Sequence, residues 1–308
     1  VFKKIAAIFA CALALTLPAH AKDQEIRFVI QFAPGGSADR IARVIEKNAN
    51  NSKFSVRVEY KPGSGGLLGF NDVANAKASN KTTIIIGTNS IVTLPVLEPK
   101  AVNYDLAKDF QPVGYIGAQV QMVAVSNKLP IKNWRQFVSY SRNNTMPYGS
   151  TGQGASSHIA SALIAHELGG EGWIHIPYKG PPLPDLINGD LAFITDVVDI
   201  LEPLIQDNRA TPLAVINTTR LAKYPKVPTL SELGINDHGL RRWYVLLANS
   251  TADPEAVEFM RQVLTKPETV AQLSALGIDT TPLKTDINKF LGSELTRFKK
   301  INSLIRVQ

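Results

Sequence analysis

Two segments of this sequence place glycines, small residues and hydroxyls where the chain leaves a strand and opens a helix. The first is Phe32-Ala33-Pro34-Gly35-Gly36-Ser37-Ala38-Asp39. The second is Tyr148-Gly149-Ser150-Thr151-Gly152-Gln153-Gly154-Ala155-Ser156-Ser157-His158. At a helix start up to four backbone N–H groups lack an intrahelical acceptor and the helix dipole is positive, so an anion is stabilised there. Glycine lets the backbone approach that anion with no Cβ in between. Two such loops facing each other across a cleft would grip a carboxylate without any arginine. Taken singly, each loop also reads as a tight turn followed by an N-cap.

Other chemistries want residues that this sequence does not supply. Gly152-Gln153-Gly154 meets Ser157 where a third glycine belongs, and Gly63-Ser64-Gly65 meets Leu68, so neither completes a dinucleotide fingerprint. There is no Gly-Lys-Ser/Thr phosphate loop and no Gly-x-Ser-x-Gly nucleophile elbow. His158, His166, His175 and His238 form no His-Glu-x-x-His pair, and His158 and His166 lie too far apart on one helix to chelate. Cys11 is the single cysteine, so no zinc set or disulfide can be built from thiols. The reading is therefore of a binding protein, not an enzyme, with no cofactor and no metal.

The elements that must position the two loops alternate in type. Ile26–Ile30 is a β-rich run, followed by a helix over Ser37–Ala49. Phe54–Tyr60 alternates like a strand, with Phe54, Val56 and Val58 on one face. Pro62–Gly66 turns into a helix over Leu68–Ala78, and Ile84-Ile85-Ile86 is the short apolar strand expected in a sheet covered on both faces. Strands follow at Gln121–Val125, Phe193-Ile194, Leu213–Ile216 and Trp243–Leu247. Helices are expected at Trp134–Arg142, Ser156–Leu168, Pro254–Leu264 and Lys284–Ile305, with a short one inside Pro225–Gly234. This is an α/β architecture, whose ligand sites lie at the carboxyl ends of strands.

At the N-terminus, Lys3 and Lys4 precede the uncharged apolar run Ile5–Leu17, and Pro18 and Ala19-His20-Ala21 follow. That is the layout of a cleaved signal peptide over residues 1–21, with export to the periplasm and a mature chain from Lys22. Cys11 lies within this segment, so the mature chain has no thiol. The net charge of +7 is spread thinly with no run of five basic residues, which supports no nucleic-acid partner. No later stretch reaches membrane-spanning length. A monomer is expected.

These residues resemble the substrate-binding proteins of tripartite tricarboxylate transporters, the Bug family. The likeness runs through Phe32–Asp39 with Ala42-Arg43, Tyr60-Lys-Pro-Gly-Ser-Gly-Gly66 with Gly69, Tyr104-Asp105, and Lys108-Asp-Phe-Gln-Pro-Val-Gly114. It continues through Tyr148–Gly154 with His158, Pro177-Tyr-Lys-Gly180, Gly189-Asp190, Arg220, Val227-Pro-Thr-Leu-Ser-Glu-Leu-Gly234, and Trp243. It spans nearly all of the mature chain. The resemblance implies a periplasmic-binding-protein type II-like fold: two α/β lobes joined by two crossover strands, with the ligand cleft between them. The implied lobes are residues 22–121 with 243–308, and 122–242.

The resemblance also implies a small organic carboxylate ligand: a di- or tricarboxylate, an acidic amino acid or an aromatic acid. One carboxylate is implied to rest on backbone groups and water from the two loops. That assigns Phe32, Ser37, Ala38 and Asp39 from one lobe, and Ser150, Thr151, Gly152, Gly154, Ala155 and His158 from the other. Asn89, Ser90, Tyr178, Lys179 and Asp196 are implied cleft residues, Asp196 either selecting ligand amino groups or acting as a cap. Implied partners are the membrane subunits of a tripartite tricarboxylate transporter, or alternatively a sensor kinase on which the receptor docks. The sequence departs from the family pattern at Ser79-Asn80-Lys81-Thr82 and at Ala248–Pro254, which leaves the second crossover less defined.

Overall fold

The computed structural model describes residues 24–49, 53–76, 82–170 and 172–305. The expected signal segment with Cys11, and Ser79-Asn80-Lys81, lie outside the described residues. The chain opens with strand β1 (Gln24–Ile30), helix α1 (Ser37–Ala49), strand β2 (Phe54–Tyr60), helix α2 (Leu67–Ala74), strand β3 (Thr83–Gly87), helix α3 (Ser90–Leu97) and strand β4 (Phe110–Gln119). It passes through Val120 alone into β5 (Gln121–Ser126). Then come α4 (Trp134–Ser141), β6 (Pro147–Ser150), α5 (Ser156–Glu167), β7 (Ile174–Pro177), α6 (Leu183–Asn188), β8 (Phe193–Val197), α7 (Val198–Gln206) and β9 (Ala210–Ile216). It returns with β10 (Arg242–Asn249), α8 (Pro254–Thr265), α9 (Pro267–Ala275) and α10 (Ile287–Ile305).

These elements build two α/β lobes. One sheet has the order β2-β1-β3-β10-β4 and the other β7-β6-β8-β5-β9. Each sheet holds one strand antiparallel to both its neighbours: β10 in the first, β5 in the second. Both follow directly on a passage between the lobes, so the chain crosses twice and the two sheets share a waist.

Both faces of each sheet are covered. Phe28, Ile30, Ile84 and Ile86 pack with Ile41 and Ile45 of α1, while Val29 and Ile85 point the other way onto Phe70 and Leu94. The all-apolar run in β3 is what burial on two faces demands. In the second lobe Val123 and Val125 pack with Ile159 and Leu163 of α5, and Met122 and Ala124 with Leu186 and Leu201. Helix α10 spans the waist: Leu291 sits in the core of the first lobe, Phe298 and Ile301 in that of the second.

The structure departs from the pattern reading in a few elements. Helix α2 stops at Ala74 with Asn75 at its C-cap, short of Ala78, as befits a residue that favours leaving a helix. Strand β4 had no strand signal because Pro112, Gly114 and Gly117 interrupt it. It is an edge strand, where proline is tolerated. Its glycines admit close neighbours: a Cβ at Gly117 would stand 2.5 Å from the Asp279 carbonyl oxygen. Helix α3 carries Pro95 and β-branched residues, which hide a helix in the sequence.

Candidate ligand-binding site

The loop Phe32–Gly36 leaves β1 at its carboxyl end and feeds α1. Phe32, Ser37 and Ala38 are buried. Asp39 is committed to the loop itself: one oxygen accepts from the Gly35 N–H at 2.8 Å and the other from the Tyr60 hydroxyl at 2.6 Å. Facing this, β6 ends at Ser150 and α5 begins at Ser156, with Ser150, Thr151, Ala155 and His158 all buried. Both helices thus start at the carboxyl ends of inner strands, one in each lobe.

The second loop is held by its own side chains. The Thr151 N–H donates to Ser157 Oγ at 3.1 Å, the Gly152 N–H to Ser150 Oγ at 3.1 Å, and the Gly154 N–H to His158 Nδ1 at 3.1 Å. The glycine donors are therefore engaged within the loop. What the glycines allow is shape: Gly152 has φ +123° and Gly154 φ +71°, the left-handed side that suits a residue without Cβ.

The lobes meet along these loops. The Ala33 N–H donates to the Lys179 carbonyl at 3.0 Å, and Thr93 Oγ1 to the Gly154 carbonyl at 2.5 Å. A Cβ on Gly65 would lie 1.9 Å from the Gln153 carbonyl oxygen, and one on Gly152 would lie 2.7 Å from Gly65 Cα. Nearer the waist Arg40 bridges to Asp199 at 2.6 Å, and the buried Arg242 to the buried Asp196 at 2.5 Å. This is a closed arrangement. It buries the starts of α1 and α5 between the lobes.

A family model described as "Tripartite tricarboxylate transporter family receptor" matches residues 41–306. The chain belongs to that family. A protein of Pseudomonas sp. (strain P51) from the tcbD-tcbE intergenic region is 31% identical over 265 residues, covering 83% of this chain and 78% of that protein. The structure of the periplasmic binding protein BugD matches with a TM-score of 0.81 and 22% identity, over 92% of this chain and 97% of that one. R. palustris Rpa4515, solved with adipate, matches with a TM-score of 0.83 and 25% identity, over 94% and 98%. The fold is that of the periplasmic binding proteins, and the family is one of solute-binding receptors rather than an enzyme class. Among the described residues no helix is long and apolar enough to cross a membrane.

In this receptor the other cleft candidates divide by what they touch. Asn89 is pinned to the second crossing, donating to the Arg241 carbonyl at 3.0 Å, and Ser90 is buried beside it. The Tyr178 hydroxyl donates to Asp185, and Lys179 is exposed. Asp196 is taken by Arg242 and also accepts from the Val197 N–H at 2.8 Å.

Sequence reasoning missed Gly65, His175 and Arg242. Gly65 stood in a quoted motif, but only its contact across the cleft shows a reason for it. His175 lies in an unremarkable strand, and nothing local couples it to His158. The two imidazoles stack with centroids 3.7 Å apart and planes 9° from parallel, and His175 Nε2 shares a 2.7 Å hydrogen bond with Ser150 Oγ. Burial, with His175 adding to it, holds His158 down to about 3, and burial holds His175 down to about 4.

Both rings are thus neutral in the folded protein at pH 7, while unfolded imidazoles protonate near 6.5. Below that value the unfolded chain binds more protons than the native one, so stability is present above pH 6.5 and is lost as pH falls toward the folded values. Each ring contributes at most about 1.4 kcal/mol per pH unit. Urea midpoints are expected to drop from pH 7 through 6 to 5, and His175→Gln should flatten that slope. Equal slopes in the two proteins would exclude the imidazole pair as the source.

Proposed function

We propose that this receptor captures a small organic carboxylate outside the cytoplasm by lobe closure and delivers it to the membrane subunits of a tripartite tricarboxylate transporter. The observation that carries the reading is that the loops opening α1 and α5, one per lobe, both lie in the seam between the lobes, where Ala33 bonds Lys179 and Gly154 accepts from Thr93. The first N–H groups of each helix have no intrahelical acceptor and lie at its positive end, which suits one carboxylate held from both sides. The Ser37 hydroxyl, buried at the first residue of α1, adds a donor. The adipate in Rpa4515 shows that a protein of this fold holds a carboxylate.

On this reading Phe32, Ser37, Ala38 and Asp39 shape one half of the site and Ser150–His158 the other. Residues 22–121 with 243–308, and 122–242, are the moving bodies, the C-terminal half of α10 packing on the second. The signal peptide, the periplasmic location and the monomeric state belong to the same proposal.

A thermal-shift screen against organic acids tests it. A ligand at 100 times its Kd adds about 2.7 kcal/mol of stability, and a chain of this size melts roughly 2–4 °C higher per kcal/mol. One or more acids should therefore raise Tm by several degrees and compact the protein in small-angle scattering. A broad panel that moves neither quantity would remove the carboxylate reading.

A further inference from the structure

Beside the second crossing the chain leaves about 300 Å³ of empty space between its elements. We propose that this cavity is a second binding site, separate from the carboxylate cleft, for an uncharged molecule about the size of one aromatic ring, and that its occupant favours lobe closure. The link to closure rests on the hinged reading; the site does not.

Its walls come from both lobes. Val92 and Thr93 belong to α3 of the first, Ser156 and Ile159 to α5 of the second, and Leu240 to the segment entering β10. Phe298 and Ile301 of α10, the helix that packs on both lobes, complete it. The space persists because the crossing is pinned on either side of Leu240. Arg297 Nη1 donates to the Gly239 carbonyl at 2.7 Å, and Asn89 Nδ2 to the Arg241 carbonyl at 3.0 Å. Leu240 therefore cannot sink inward. Atoms facing a void forfeit dispersion contacts, which an occupant restores.

The lining selects for a neutral, mostly apolar body. Val92, Ile159, Leu240, Phe298 and Ile301 offer only hydrocarbon. Ser156 supplies a neutral hydroxyl for one polar substituent. The other polar groups are committed: Thr93 Oγ1 donates to the Gly154 carbonyl, and Asn89 holds the crossing. Glu294 accepts from Trp243 Nε1 at 2.8 Å through one oxygen and pairs with Arg297 at 3.0 Å through the other. Neither an ammonium nor a carboxylate would find an unmatched partner, and a buried charge without one is strongly disfavoured. An apolar cavity of roughly 150 Å³ takes benzene. Among the described lining residues only Arg297 is exposed, so the cavity opens to solvent there and part of its volume lies in the mouth. A single ring with a short hydroxylated arm fits what remains.

Closure enters through the same residues. Thr93 and Gly154 touch across the seam between the lobes, and Thr93 and Ser156 line the cavity from opposite lobes. Parting the lobes at that contact draws α3 away from α5 and breaks the cavity's wall. An occupant therefore binds the closed form better and shifts the population toward it.

Saturation-transfer NMR titrations of the full chain with benzyl alcohol, benzylammonium and benzenesulfonate test the site. Benzyl alcohol should bind in the millimolar range or tighter, at least tenfold better than either charged ring. Val92→Phe, which fills the cavity from α3, should abolish that binding while circular dichroism shows a native fold. Should it misfold, Val92→Met, whose flexible chain fills gaps, should weaken binding at least threefold. No binding of benzyl alcohol, a charged ring that binds within tenfold of it, or unchanged binding in the folded variant overturns the site. Small-angle scattering tests the coupling: saturating benzyl alcohol should compact the parent. Binding without compaction overturns the link to closure and does not touch the carboxylate reading, which the acid screen decides.

Discussion

Gly65→Ala is expected to abolish measurable ligand binding in a protein that still folds. Gly65 has φ +64° and ψ 18°, the left-handed region, where a Cβ costs roughly 1–2 kcal/mol. That much the fold withstands. The larger effect is across the cleft, where the new Cβ would stand 1.9 Å from the Gln153 carbonyl oxygen and 3.0 Å from its carbonyl carbon. Backbone cannot swing aside as a side chain does, so the loops must part and the closed form becomes rare. Apparent affinity falls in proportion to the population of the competent form. A hundredfold loss, about 2.7 kcal/mol, is the minimum expected.

Gly234→Ala is the control. Gly234 has φ +80°, and a Cβ there would meet nothing within 4 Å, so it takes the same backbone penalty with no clash between lobes. Calorimetry and small-angle scattering on both variants decide the matter. If Gly65→Ala binds and compacts like Gly234→Ala, closure does not run through this contact.

Arg242→Met is expected to destabilise the protein by about 3–5 kcal/mol, the loss that follows from stripping one partner from a buried ion pair. Arg242 opens β10 at the second crossing, and its guanidinium reaches Asp196 on β8 in the other sheet. Both side chains are almost wholly enclosed, at 7% and 2% exposure, so Asp196 left alone has little water to turn to. The double variant Arg242→Met with Asp196→Leu should recover most of the loss, because it removes both desolvated charges at once. Urea denaturation of parent, both single variants and the double variant gives the coupling directly. A single variant within 1 kcal/mol of the parent would show the pair to be solvated in solution.

Much of the architecture was legible because it rests on local rules. Helix α1 begins at Ser37 and ends at Ala49, where the sequence placed it, since apolar residues recur on one face behind a glycine turn. The run Ile84-Ile85-Ile86 announced a doubly covered strand and is one. The two glycine loops were readable as helix entries for the same reason. Strand β4 was not, because a proline and two glycines erase strand propensity and only its edge position and close neighbours make them acceptable.

What the sequence by itself determined is the alternation of strands and helices, the two loops that open α1 and α5, and the family likeness carried by their motifs. Each depends on residues within a turn or two of one another. The tertiary structure alone decided what those loops do to each other. Gly65 is needed because Gln153 and Gly152 of the other lobe lie against it. Asp196 is neutralised by Arg242, 46 residues away. His175 matters because its strand lies beside β6, which sets its ring on that of His158. These are contacts between distant segments, and their partners are chosen by sheet order and lobe closure, which no local pattern encodes.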